Sequence, residues 1–176
     1  MMKWYVIILS LLLQGGFAVP CVRASEAGLE WQQAIASAKQ GEYDFAYMDF
    51  HSITEFYPDS RFAMPSAFAV GEYYFLHNNF SMAADAFERF YNRYPHAQES
   101  LIALVYLYKI AQIQQKPGLM KKYRKQAATF RRLTFIFNEQ KYFKYTSGFQ
   151  RRYKLVYTID KVGLYVNGRL FTEVPF

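Results

Sequence analysis

The stretch Val70–Pro95, VGEYYFLHNNFSMAADAFERFYNRYP, decides the fold of this 176-residue chain. An apolar segment runs into Asn78-Asn79, a second starts at Phe80, and Pro95 closes it behind Tyr94. Asparagine tolerates the left-handed conformation that ends a helix, and proline cannot continue one, so the stretch predicts a helix, a tight turn, a second helix and a corner. Gly71 is the small residue of the first helix, with Val70 before it and Tyr74 three positions on. A side chain reduced to hydrogen lets a neighbouring helix come close. In the second helix Ala83, Phe87 and Phe90 are spaced four and three apart, which puts them on one buried stripe.

Working outward, the same features return 37 residues earlier: Tyr57-Pro58 matches Tyr94-Pro95, Tyr43 matches Phe80, Ala46 matches Ala83, and Phe50 matches Phe87. Recurrence at one offset is the mark of a repeat architecture. Helices are predicted over Leu29–Gln40, Tyr43–Tyr57, Ser60–His77, Ser81–Tyr94 and Gln98–Gln115, broken by Gly41, Pro58, Asn78-Asn79 and Pro95. That makes two clear units and a decayed third. Each pair exposes an apolar face that only a neighbour can cover, so stacked pairs form a superhelix with a concave, partner-binding surface.

The second unit resembles the tetratricopeptide pattern of small and bulky positions, with Gly71, Ala83, Phe87 and Pro95 in register and Ala67 where the pattern has an aromatic ring. In the first unit Ala34 stands in place of the glycine and Trp31 is displaced by one. The corners Phe56-Tyr57-Pro58-Asp59-Ser60 and Arg93-Tyr94-Pro95-His96-Ala97 resemble those of the bacterial outer-membrane assembly lipoproteins (BamD-like) and the Tol-Pal-associated periplasmic repeat proteins. The resemblance covers residues 27–113 and implies a periplasmic scaffold contacting barrel-assembly or envelope-constriction proteins.

Residues 1–24 are read as a signal peptide. Lys3 precedes the apolar run Trp4 to Leu13, interrupted only by Ser10, and Val22-Arg23-Ala24 supplies small residues before a cut that leaves Ser25 first. Gln14, Gly15 and Gly16 end the run short of the roughly 20 residues a membrane span needs. Cys21, the one cysteine, invites a lipid anchor, but Pro20 occupies the place where a lipobox has a small residue. Cleavage after Ala24 would leave no cysteine for disulfides, thiolate chemistry or metal ligation. The chain is therefore expected to be exported, in the periplasm or on the periplasmic face of the outer membrane.

Composition excludes disorder: 52% of residues are hydrophobic, with 17 Phe and 16 Tyr. The net charge of +7 hides an asymmetry. Ser25 to Ile113 holds five basic and eleven acidic residues, whereas Gln114 to Phe176 holds fourteen basic and three acidic. The chain thus divides into a helical repeat over 25–115, a basic amphipathic helix over 116–138 and a β-hairpin tail over 139–176. The expected fold class is mainly α: a short superhelix, then the basic helix, then a small hairpin.

The basic helix, from Leu119 to Asn138, places Met120, Tyr123, Ala127, Phe130, Thr134 and Phe137 on one stripe and Lys121, Lys122, Arg124, Lys125, Arg131 and Arg132 on the other side. It is expected to cap the repeat, with its charged side available to anionic headgroups. In the tail, Asn167-Gly168 suits a type I′ turn, which sets Val166 opposite Arg169 and Leu164 opposite Phe171. Such a hairpin is marginal alone and must dock on the repeat or on a partner's sheet.

Candidate partner contacts are Glu72, Tyr73 and Phe75, off the packing stripe of the first helix. No catalytic, cofactor or metal residue is expected. His51, His77 and His96 lie on separate elements without ligand spacing, Asp44, Asp49 and Glu55 fall on a solvated helix face, and no nucleophile elbow, zinc motif or phosphate loop is present. Three functions remain: an envelope-protein scaffold, a peripheral protein on an anionic membrane surface, and a cell-wall-modifying enzyme. Export argues against nucleic acid as a partner.

Overall fold

The computed structural model describes residues 19–135, 142–158 and 160–176. Six helices come first: α1 (Val19–Gln40), α2 (Tyr43–Phe56), α3 (Ala63–Leu76), α4 (Phe80–Arg93), α5 (Glu99–Ile113) and α6 (Pro117–Phe135). Four antiparallel strands follow in the order β1 (Tyr142–Thr146), β2 (Arg152–Tyr157), β3 (Lys161–Val166) and β4 (Arg169–Pro175). The apolar run of the expected signal peptide lies outside the described residues. The backbone of Cys21 and of Val22-Arg23-Ala24 is helical, within an α1 that starts before the expected Leu29.

Consecutive helices pack on one another, in the manner of a tetratricopeptide repeat. The turns show why. α1, α3 and α5 end alike, with Gly41, Asn78 and Gln115 at φ of 84°, 58° and 55°. At the first, the Glu42 amide donates to the Ser37 carbonyl and the Gly41 amide to that of Ala38; equivalent pairs link Asn79 to Tyr74 and Lys116 to Ala111. This is the Schellman closure, which satisfies two orphan carbonyls and reverses the chain. The three residues are spaced 37 apart, so α5 and α6 complete a third helix pair. Asn79 then caps α4 by accepting the Met82 amide at 3.3 Å.

The inner stripe of the second helices is Ala46, Phe50 and Ile53 on α2, Ala83, Phe87 and Phe90 on α4, and Tyr123, Ala127 and Phe130 on α6, all buried. The first two sets are 37 residues apart, but the third follows at 40. A shift of three residues around Pro117-Gly118 therefore hides the third unit from a fixed-offset comparison. At Gly71 the close approach is real: a Cβ would lie 2.7 Å from the Phe87 ring.

The expected hairpin is β3–β4, and β1 and β2 extend it into a four-stranded antiparallel meander. Asn167 and Gly168 adopt the positive φ values of the expected turn, 51° and 83°, and Val166 pairs with Arg169. Leu164, however, pairs with Thr172 rather than Phe171, since a bulge between Leu164 and Tyr165 inserts one residue into β4. The bulge lets Phe171 join the inner face, where it meets Tyr106 and Phe75 with ring centroids 5.0 and 5.6 Å away.

The sheet covers α3 and α5. Tyr153, Leu155, Val162, Leu164 and Val174 share one apolar core with Phe68, Tyr106, Phe87 and Phe130. Phe68 meets Tyr145 and Tyr153 edge-on at 5.3 and 5.7 Å. The β1–β2 turn reaches α2: Phe149 packs on Phe50 at 5.4 Å, and a Cβ on Gly148 would lie 2.5 Å from the same ring. The repeat, the basic helix and the tail, distinct in composition, are thus joined by common packing.

Candidate binding surfaces

Of the three expected partner contacts, Glu72 requires correction. It is completely buried. The Tyr153 hydroxyl donates to Glu72 Oε1, and the Tyr153 and Tyr106 hydroxyls share a hydrogen bond of 2.7 Å. Burial pushes the Glu72 carboxyl up to about 7, against the opposing pull of the Tyr153 hydroxyl, the Arg151 charge and Ser147. The same burial, with Glu72 close by, drives the Tyr153 and Tyr106 hydroxyls above the ordinary phenol range. A glutamate off the apolar stripe reads as solvated; its burial depends on a tyrosine 81 residues away in sequence.

Phe75 is half-buried against Tyr106 at 4.9 Å and Phe171 at 5.6 Å, so the chain's own sheet occupies it. Tyr73 is half-buried too. Its ring stacks on Tyr47 at 4.1 Å and leans on His77 at 4.2 Å, while its hydroxyl donates to Asp44 at 2.7 Å. That hydrogen bond, with burial, lifts the Tyr73 hydroxyl to about 12. The first-helix face, expected to hold a partner, is therefore filled from within around Glu72 and Phe75 and tied down at Tyr73.

A cleft of about 160 Å³ opens instead between α2 and α4, over α3. Its floor is Ala67, Val70, Ala86 and Phe90; His51, Thr54 and Glu55 form one wall, and Arg89, Arg93 and Tyr94 the other. Arg93 is held in place, donating to the Pro58 carbonyl at 2.9 Å with its guanidinium 5.6 Å from the Tyr94 ring. Arg89 has no acidic partner among the described residues. Beside this cleft α2 turns Met48 outward at 63% exposure, and further round the helix Phe45 and Phe56 at 63% and 70%. The sequence signal for the cleft was Ala67: a methyl where the resembled pattern has a ring leaves space.

On α6, Lys121, Lys122, Arg124 and Lys125 are exposed, as expected for the side away from Tyr123, Ala127 and Phe130. Lys122 is neutralised by Glu88 at 2.8 Å, and the Tyr123 hydroxyl donates to the same carboxylate at 2.7 Å. Lys122 and Tyr123 together hold the Glu88 carboxyl below its usual range despite partial burial. Lys121, Arg124 and Lys125 have no acidic partner among the described residues. The side chains of Arg131 and Arg132, and all of Phe137, lie outside the described residues.

The histidines stay apart. His51 lines the cleft, His77 follows α3 with Nδ1 2.9 Å from the Tyr73 carbonyl, and His96 follows Pro95. Among the described residues no group of three or more His, Cys, Asp or Glu side chains is placed to hold a metal ion, and no helix is long and apolar enough to cross a membrane. Compared with known proteins, the chain matches no family model and no curated protein.

Proposed function

We propose that this chain is a non-enzymatic adaptor of the bacterial envelope that binds another protein in the cleft between α2 and α4. The carrying observation is the combination of an apolar floor at Ala67, Val70, Ala86 and Phe90 with Arg89 at the rim. A partner segment offering one apolar or aromatic side chain next to an acidic group suits both. The envelope setting rests on the N-terminal segment and on the Tyr-Pro corners that resemble outer-membrane assembly and Tol-Pal-associated repeat proteins. Immobilised protein should recover barrel-assembly or Tol-Pal components from envelope extracts. Ala67→Trp, which fills the cleft, should reduce that recovery at least tenfold while leaving the melt cooperative. Equal recovery by both proteins would overturn the reading.

A second reading is a peripheral protein held on an anionic membrane surface by its basic C-terminal region. The observation favouring it is that Lys121, Arg124 and Lys125 face away from the packed stripe of α6 without an acidic partner among the described residues. Each such residue near an anionic surface contributes on the order of 1 kcal/mol.

A further inference from the structure

The solvent face of the sheet carries a charge arrangement that packing does not require. Lys144 on β1 and Lys154 on β2 are directly opposite one another, both exposed. Like charges at directly paired positions weaken a sheet. Neither has an acidic partner among the described residues, whereas Lys161 on β3 is neutralised by Glu173 at 2.9 Å. Instead both ammonium groups gather over one ring, 5.4 and 5.5 Å from the centroid of Tyr142, which is itself 51% exposed. Arg152 stands exposed on the same face, two residues before Lys154.

The register continues the row. Lys154 pairs with Tyr165 on β3, and Tyr165 with Leu170 on β4, which is 53% exposed. One line across four strands thus runs from two cations to a tyrosine to a bare leucine. Strand-bound nucleotides would want unobstructed rings to stack on, but Tyr142 already has two ammonium groups over it. Cations beside a tyrosine and an exposed apolar side chain suit the boundary between phosphates and acyl chains, where amphipathic side chains put the charge in water and the body in lipid.

We propose that this outer sheet face is a docking surface for a bilayer bearing anionic phospholipid headgroups, whose phosphates sit between Lys144, Lys154 and Arg152. The site is separate from α6 but rests on the second reading above, that the protein meets an anionic membrane.

The test is sedimentation of the full chain with vesicles of phosphatidylcholine alone or with one quarter phosphatidylglycerol, at physiological salt. Wild type should partition onto the anionic vesicles and less onto the neutral ones. Lys144→Gln with Lys154→Gln should weaken anionic partitioning about thirtyfold, the product of two charge contributions, with circular dichroism confirming the fold. Lys121→Gln with Lys125→Gln on α6 should weaken partitioning as well, and its loss should multiply with that of the sheet variant when the two are combined. Leu170→Trp should add fluorescence quenched by brominated lipid, over the background of Trp4 and Trp31. Unchanged partitioning of the sheet variant, or no added quenching, would overturn the proposal; loss in the α6 variant alone would leave the second reading standing without it. Failure of wild type to prefer anionic vesicles would remove both. Tighter binding to a short oligonucleotide, lost in the same sheet variant, would move the surface to nucleic acid and overturn the lipid assignment.

Discussion

α4 and α5 are consecutive helices of fourteen and fifteen residues, and they face opposite demands. α4 buries only Ala83, Ala86, Phe87 and Phe90, and gives Asp85, Glu88, Arg89 and Asn92 to the other sides. α5 buries eleven residues, including the unbroken run Ser100 to Tyr108. A helix with one apolar stripe has one neighbouring layer; a helix apolar all round has neighbours on every side. α4 and α6 pack on α5 from one direction and the sheet from the other, with Tyr106 meeting Phe87 at 4.7 Å and Phe171 at 5.0 Å. The tail therefore belongs to the core of the repeat. It closes over the first helices, with Glu72 beneath it, and leaves open the cleft between the second helices α2 and α4.

The hardest test of that contrast is removal of the sheet. Deleting residues 136–176 exposes the outer side of α5 and should abolish the cooperative thermal transition, measured by circular dichroism, and promote aggregation. A truncated chain melting within a few degrees of the full one would show that α5 does not need its second wall. Single substitutions probe the two helices separately. Tyr106→Ala, which empties the contact between α5 and the sheet, should cost about 3–5 kcal/mol in urea unfolding, the range for a buried aromatic. Asn92→Ala on the exposed side of α4 should stay within about 0.5 kcal/mol. Similar values for the two would mean the helices are not differently buried.

A smaller effect comes from Glu72, the polar residue that the sheet encloses. Its folded carboxyl holds a proton up to about pH 7, whereas in the unfolded chain it gives that proton up near the ordinary value of 4.5. Between those values the folded state binds more protons. This group's stabilisation is therefore fully present below about pH 4.5, falls as pH rises towards about 7, and stays flat above. Glu72→Gln keeps an acceptor for the Tyr153 hydroxyl but has no proton to lose. Relative to the variant, wild type should lose roughly 2–3 kcal/mol across that window. Taking the difference between the two proteins cancels Glu88, whose depressed carboxyl contributes in the opposite sense. A difference independent of pH would mean that Glu72 is not enclosed.

The features legible in short stretches of the chain are local ones. Gly41 and Asn78 mark reversals because few residues tolerate a positive φ, Tyr57-Pro58 and Tyr94-Pro95 mark corners because proline cannot extend a helix, and Asn167-Gly168 sets the β3–β4 turn for the first of these reasons. The stripes of α4 and α6 follow from periodicity within one helix, and so did the expectation that Lys121, Arg124 and Lys125 face out. The remaining features depend on contacts between segments distant in the chain. The third helix pair is offset by three residues in its second helix, so it emerges from the positive φ of Gln115 and the packing of Tyr123, Ala127 and Phe130 on α5. The bulge that turns Phe171 inward answers to rings on α3 and α5 and not to any turn signal in β4. Glu72, placed at the surface by its chemistry, lies under the sheet because Tyr153 and Tyr106 come together above it. Steric limits on φ act between adjacent atoms and are written in short stretches, whereas desolvation depends on whatever the folded chain brings alongside.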